Sequence, residues 1–278
     1  GCGLDVYESE PPASDHILFD QPKHISFTPH LGASTNEAQE NVGIQVAEQL
    51  RDFLTTGEIR NAINMPSLDA GALAEIGGYL ELATSLGKFI AKLGPANPDA
   101  LRVSYHGDIA EKDTALISRT VLTGYLETAR PDGQVNIVNS PSVAHDMGLE
   151  LVDSVINAKT EYSELIVVEL RKDGKKFRVA GTIIGQTPRI VEIDRLFVDT
   201  NIKGHFLIVR NDDRPGIVGL VGTALGDAGL NIANLSLARN QSVGVALNVI
   251  ELDSAPDAEF IAKMAAQPGV LSVTAIEI

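Results

Sequence analysis

Apolar residues recur along this chain at two different spacings, and the spacing changes from stretch to stretch. Val42, Val46, Leu50 and Leu54 repeat every four residues behind a Ser34/Glu37 pair of capping-box form, which predicts a helix with one apolar face, closed by Gly57. Leu73, Ile76, Leu80, Ala83, Leu86 and Ile90 predict a second amphipathic helix over 72–93 despite its internal glycines, and residues 113–129 a third. The runs GCGLDV, HISF, LRVSYHG, LELVDSVIN, ELIVVEL and FRVAGTII read as strands instead, the first of them short and buried. Pro29 stops the second run. The turn Lys172-Asp-Gly-Lys175 predicts a hairpin between the last two.

From residue 203 the pattern alternates regularly. HFLIVR is a strand, and PGIVGLVGTALGDAG is a helix with Pro215 in its first turn. NIANLSLAR and VALNVIEL are strands, DAEFIAKMAAQ is a helix and VLSVTAIEI closes the chain. The order βαββαβ predicts a ferredoxin-like unit, with one sheet face under two helices and the other free for a partner. Three domains are therefore expected, over 1–66, 67–200 and 201–278, in an α/β and α+β multidomain chain.

Composition narrows the function classes. A formal charge of -15 over 278 residues argues against nucleic acid and anionic membrane surfaces, leaving small molecules and further copies of the chain as partners. No apolar run is long enough to span a bilayer, and no secretory signal is visible. The single Cys2 excludes an internal disulfide framework and fits a cytoplasmic protein. No metal site is expected.

His30 stands in a glycine-bearing turn, TPHLGAST, just before a helix, with Glu10 twenty residues earlier in the loop after the first strand. A carboxylate on one imidazole nitrogen fixes the tautomer and leaves the other nitrogen for proton transfer. The alternatives are a structural histidine and a solvated acidic turn at Glu8 and Glu10.

Asp5-Val6-Tyr7, Glu10-Pro11, the run from Thr28 to Thr35 and EAQENVGIQVAEQL together resemble D-2-hydroxyacid dehydrogenases, D-3-phosphoglycerate dehydrogenases in particular, and the resemblance extends over nearly the whole chain. It implies that His30 is the acid/base at the substrate hydroxyl and Glu10 its partner. It also places Asp5 near the nicotinamide carboxamide of NAD, and His30, Leu31, Gly32 and Ala33 along the cofactor. Residues 1–66 would be the tail of a Rossmann-type catalytic region and 67–200 an intervening α+β domain. The family's dinucleotide-binding glycine loop, ribose-binding acid and substrate arginine have no counterpart in the sequence and are expected to precede Gly1, so the chain alone is expected to be inactive. The glycines at 216, 219, 222, 226 and 229 do not match G-x-G-x-x-G and read as close helix packing and a helix end.

NDDRPGIVGLVGTALGDAGLNIANLSLAR resembles an ACT domain, an amino-acid-binding module, for which the resemblance implies L-serine as ligand. Residue chemistry points the same way. Donors at Gly216 and Ile217 suit a carboxylate, Asn211 and Asp213 suit an ammonium group, and Asn231 could reach the pocket from a neighbouring copy. These asparagines and aspartates also have turn and cap roles open to them. In the middle segment Arg189 and Arg195 could meet an acidic ligand or form a solvated face, and Ile193-Asp194-Arg195 departs from the family's usual Asn-Gly turn. The leading expectation is the C-terminal portion of an NAD-dependent enzyme oxidising 3-phosphoglycerate to 3-phosphohydroxypyruvate for serine synthesis. It would be a homo-oligomer through its ACT and intervening domains. The alternative is a non-catalytic regulatory and oligomerisation module binding L-serine.

Overall fold

The computed structural model describes residues 1–20, 23–65, 70–156, 158 and 160–278, and the chain divides into two compact units. The expected domain boundary at 66–67 lies outside the described residues.

In the first unit, β1 (Cys2–Leu4) pairs in parallel with β2 (Ile25–Phe27), Cys2 facing Ile25 and Leu4 facing Phe27. The strand expected to be buried is short and largely exposed, and Val6 beyond it is open to solvent. Helix α1 (Asn36–Thr56) follows, capped by Thr35 rather than Ser34. Thr35 has the extended backbone that lets its hydroxyl accept the Ala38 N–H at 3.1 Å, whereas the Ser34 N–H is spent on the Leu31 carbonyl in the preceding turn. Gly57 ends the helix in the left-handed region, φ 77°. The face carrying Val42, Val46, Leu50 and Leu54 is exposed along its length.

The second unit holds a six-stranded sheet of order β4-β3-β5-β6-β7-β8. Its strands are β3 (Ala100–Gly107), β4 (Glu150–Val155), β5 (Glu164–Lys172), β6 (Lys175–Ile184), β7 (Thr187–Ile193) and β8 (Leu196–Thr200). Only β3 and β4 run parallel. Helices α2 (Ala70–Leu93) and α3 (Thr114–Ala129) supply Leu82, Leu86, Phe89, Ile90, Leu122 and Leu126, all fully buried with Val168, Leu170 and Val179 of the sheet. The two helices approach closely where Gly87 and Gly124 face each other's backbone.

The Asp173-Gly174 hairpin forms as expected, both residues having positive φ. Strands β7 and β8 and the short helix α4 (Ser140–Asp146) had no clear sequence signature. The turn joining β7 to β8 is Asp194-Arg195, with φ of 50° and 66°. That geometry ordinarily selects Asn-Gly, so without a glycine the hairpin signal is lost.

The last strands and helices run β9 (His205–Asp212), α5 (Ile217–Asp227), β10 (Ile232–Asn240), β11 (Val245–Leu252), α6 (Ala258–Ala265) and β12 (Val270–Glu277). The four strands form an antiparallel sheet of order β10-β11-β9-β12. On one face Leu207, Val209, Ile250 and Leu252 pack against Ile217, Val221 and Leu225 of α5 and Phe260 and Met264 of α6. The other face is not free for a partner. Its Phe206, Leu247 and Val249 are fully buried, and Phe206 meets Phe89 of α2 edge-on at 5.0 Å.

Pro215 stands before the N-cap Gly216, outside the helix, because Gly216 takes a left-handed φ of 94°. A Cβ added at Gly219, Gly222 or Gly226 would meet open space, so these glycines do not mark close packing. Helix α5 buries the Ile217, Val221 and Leu225 side instead. Among the described residues no helix is long and apolar enough to cross a membrane.

Candidate functional site

In the first unit, two carboxylates organise the TPHLG turn. Asp5, just beyond β1, accepts the Leu31 N–H at 2.7 Å, the Gly32 N–H at 2.8 Å and the Thr28 hydroxyl at 2.6 Å. The Thr28 hydroxyl leads these contacts in holding the Asp5 carboxyl below its ordinary range. Tyr7 adds a tie from its hydroxyl to the Thr28 carbonyl at 3.1 Å, and Gln39 of α1 donates to the Ala33 carbonyl. The stretch joining β2 to α1 is thereby tied to the loop after β1.

These ties present His30. Its backbone is left-handed, φ 54°, and its Nδ1 lies 2.7 Å from Glu10 Oε2. The other Glu10 oxygen accepts the Tyr7 N–H at 3.0 Å, which fixes the carboxylate. With Nδ1 committed to the carboxylate, the neutral ring carries its proton on Nδ1 and turns the Nε2 lone pair outward. The histidine side chain is 58% exposed, and no described residue bonds Nε2.

The hydrogen bond and charge of Glu10 raise the His30 pKa, and the same bond lowers that of Glu10. The contribution of the pair to stability is present between the ordinary glutamate and histidine values, fades as pH rises through the raised His30 value and is lost again as pH falls through the lowered Glu10 value. Chemically, this is a tuned proton acceptor at an open surface.

Of the residues singled out in the sequence, the structure sets Glu10 against His30 and Asp5 against the turn that carries it. Sequence reasoning missed Thr28, Tyr7 and Gln39 as supports, for which the sequence carried no signal beyond their place in the quoted motif. For the cofactor edge the geometry is restrictive. The Leu31 and Gly32 N–H groups are already engaged by Asp5 and the Ala33 carbonyl by Gln39, with the His30 imidazole exposed beside them.

The amino-acid-binding candidates fall at both ends of the last sheet. Asn211 and Asp213 lie where β9 runs into α5, level with Val245 of β11. Asn231 stands at the opposite end, where its amide donates to Asp253 at 2.7 Å. One copy thus does not bring Asn231 to the others. Asn211 is also not a surface donor, being 2% exposed. Its Oδ1 accepts from Asn248 at 2.7 Å and its Nδ2 donates to the Asp212 carbonyl. Asp213 already holds the Arg239 guanidinium, both oxygens at 2.9 Å. Gly216 and Ile217 open α5 with no side-chain cap, leaving first-turn donors available. Of the two middle-segment arginines singled out in the sequence, Arg189 is tied to Asp199 at 2.7 Å and to Asn201, and Arg195 occupies the β7–β8 turn.

A protein-family model for the D-3-phosphoglycerate dehydrogenase intervening domain matches residues 75–194. D-3-phosphoglycerate dehydrogenases of Bacillus subtilis and Archaeoglobus fulgidus are each 33% identical to the chain, over 279 and 280 residues. In both cases the match takes in 100% of this chain and 53% of the relative. The Methanocaldococcus jannaschii enzyme is 33% identical over 277 residues, 52% of its length. The chain spans about half the length of the curated relatives it matches. Residues 75–194 thus match the intervening domain of D-3-phosphoglycerate dehydrogenases, and the chain is similar to these enzymes along its whole length.

Proposed function

We propose that this chain is part of an NAD-dependent D-3-phosphoglycerate dehydrogenase that oxidises 3-phosphoglycerate to 3-phosphohydroxypyruvate. The carrying observation is the Glu10–His30 pair, 2.7 Å apart, with Nε2 turned outward. Nε2 takes the proton from the substrate hydroxyl as the carbon–hydrogen bond breaks, and Glu10 stabilises the imidazolium that forms. Asp5 keeps the turn, and with it the ring, in place. NAD, when bound, supplies the hydride acceptor. The segment 1–66 would complete the catalytic region of the whole enzyme, and 67–200 would be the intervening domain.

The test is NADH formation by the full-length enzyme. Turnover with 3-phosphoglycerate far above that with unphosphorylated 2-hydroxy acids is the expected result. A preference for an unphosphorylated acid would overturn the substrate assignment.

Residues 201–278 would act as an ACT domain for L-serine, supported by the uncapped start of α5 beside Asn211 and Asp213. Because Asn231 lies at the far end of the same sheet, the pocket would need two copies, making the working form a homo-oligomer. The Asp213–Arg239 pair must open for an ammonium group to displace the guanidinium. Calorimetric titration with L-serine is expected to saturate for the native chain and to lose measurable heat in Asn231→Ala. Equal binding by the two would remove Asn231 from the site. No binding by the native chain would remove the effector role.

A further inference from the structure

Glu251 has no part in either site described above, yet it is the most heavily bonded carboxylate of the second unit's described residues. It sits on β11 with its side chain directed away from α5 and α6, and it is 6% exposed. Oε1 accepts the Thr200 hydroxyl at 2.7 Å, the Asn201 N–H at 2.9 Å and the Asn234 amide at 3.0 Å. Oε2 accepts the Asn201 side-chain amide at 2.5 Å. The donors come from the end of β8, the residue after it, and β10. Burial pushes this carboxyl up, but the Asn201 N–H, the Asn234 amide and the other donors outweigh it and hold the pKa below the ordinary glutamate value.

The surroundings repeat the same connection. The Asp199 N–H donates to Ser236 of β10 at 3.1 Å, and the Asn234 amide reaches the Asp199 carbonyl at 3.2 Å. Arg210 of β9 meets Asp194 of the β7–β8 turn at 2.9 Å. Lys203, midway along the connection between β8 and β9, reaches Glu81 of α2 at 3.0 Å. Phe206 against Phe89 supplies the apolar part of the contact.

We propose that Glu251 is the joint that fastens the six-stranded sheet to the final four-stranded sheet, so that the connection at 200–204 is clamped and the two sheets act as one body. A ligand that shifted β10 would move residues 199–201 with it, through Asn234, Ser236 and Glu251. A glutamine is close in shape but cannot serve as this joint. Its Nε2 would face the donors of Asn201 or Asn234, and the remaining oxygen cannot take every bond. This inference is independent of the catalytic and effector readings.

Two readouts address the joint directly in the chain. The Asn201 amide donates to Glu251, so its hydrogen exchange reports that bond. Trypsin cleavage after Lys203 reports opening of the connection. In Glu251→Gln both rates are expected to rise about tenfold or more, while amides of Leu207 and Val249 keep their protection. Asn234→Ala removes one donor and leaves the carboxylate, so it should raise both rates by a smaller factor in a folded protein. Native rates at both positions in the two variants would overturn the proposal. So would a rise spread equally over the whole four-stranded sheet in Asn234→Ala, because that is loss of the sheet rather than release of a joint.

Discussion

Replacing His30 with asparagine is expected to lower kcat/KM of the full-length enzyme about 10²- to 10⁴-fold, the range that general acid–base catalysis contributes. Asparagine suits this test because His30 has a φ of 54°, a region that asparagine enters more readily than most residues. The turn held by Asp5 should therefore persist and the loss be chemical. Unchanged thermal unfolding alongside the activity loss would separate chemistry from folding. A loss below tenfold would remove His30 from the reaction.

Glu10→Gln tests the other half of the pair. The glutamine keeps a hydrogen bond to Nδ1 but loses the charge that raises the His30 pKa, so that pKa falls. Oxidation needs the neutral imidazole, so activity rises with pH through the His30 pKa. The acid limb of the kcat/KM profile should consequently move to lower pH in Glu10→Gln, with a lower plateau. An unmoved limb would show that a different group titrates there.

The Glu10–His30 contact was foreshadowed by resemblance to a family motif, because spacing alone does not bring together two residues twenty positions apart. Helix and strand periods were readable because they are local. What escaped depends on contacts distant in sequence. The β7–β8 hairpin uses Asp-Arg at positive φ, and the residue types at that turn carry no sign of it. The second face of the last sheet was expected to be open, yet it is closed by Phe89, residues 199–201 and the bonds of Glu251, spread over more than a hundred positions of chain. Asn211 reads as a surface turn residue, but its partner Asn248 lies 37 positions away on β11.

Glycines give the sharpest contrast between local and distant causes. Those of α5 looked like a packing seam and face open space, whereas Gly87, one of the internal glycines of α2, and Gly124 of α3 lie where the two helices approach closely.

Gly124→Ala is accordingly expected to destabilise the second unit by about 3 kcal/mol, the upper part of the usual range for overpacking. The added Cβ would lie 2.5 Å from the Thr84 carbonyl oxygen and 3.2 Å from the Thr84 carbonyl carbon and Cα. Gly87→Ala drives its Cβ into the Val121 carbonyl oxygen and to 2.8 Å from the Tyr125 nitrogen. All of these are backbone atoms, so no rotamer change relieves the clash. The helices must separate, and doing so opens the layer formed by Leu82, Leu86 and Leu122. Gly77→Ala, in the same helix α2, meets nothing within 4 Å and should instead raise stability by about 0.5–1 kcal/mol, because alanine restricts the unfolded chain. Urea unfolding followed by circular dichroism measures all three. Opposite signs for Gly77 and Gly124 would establish that backbone approach, not helix propensity, decides the outcome. Matching gains at both positions would mean that α2 and α3 do not touch as described.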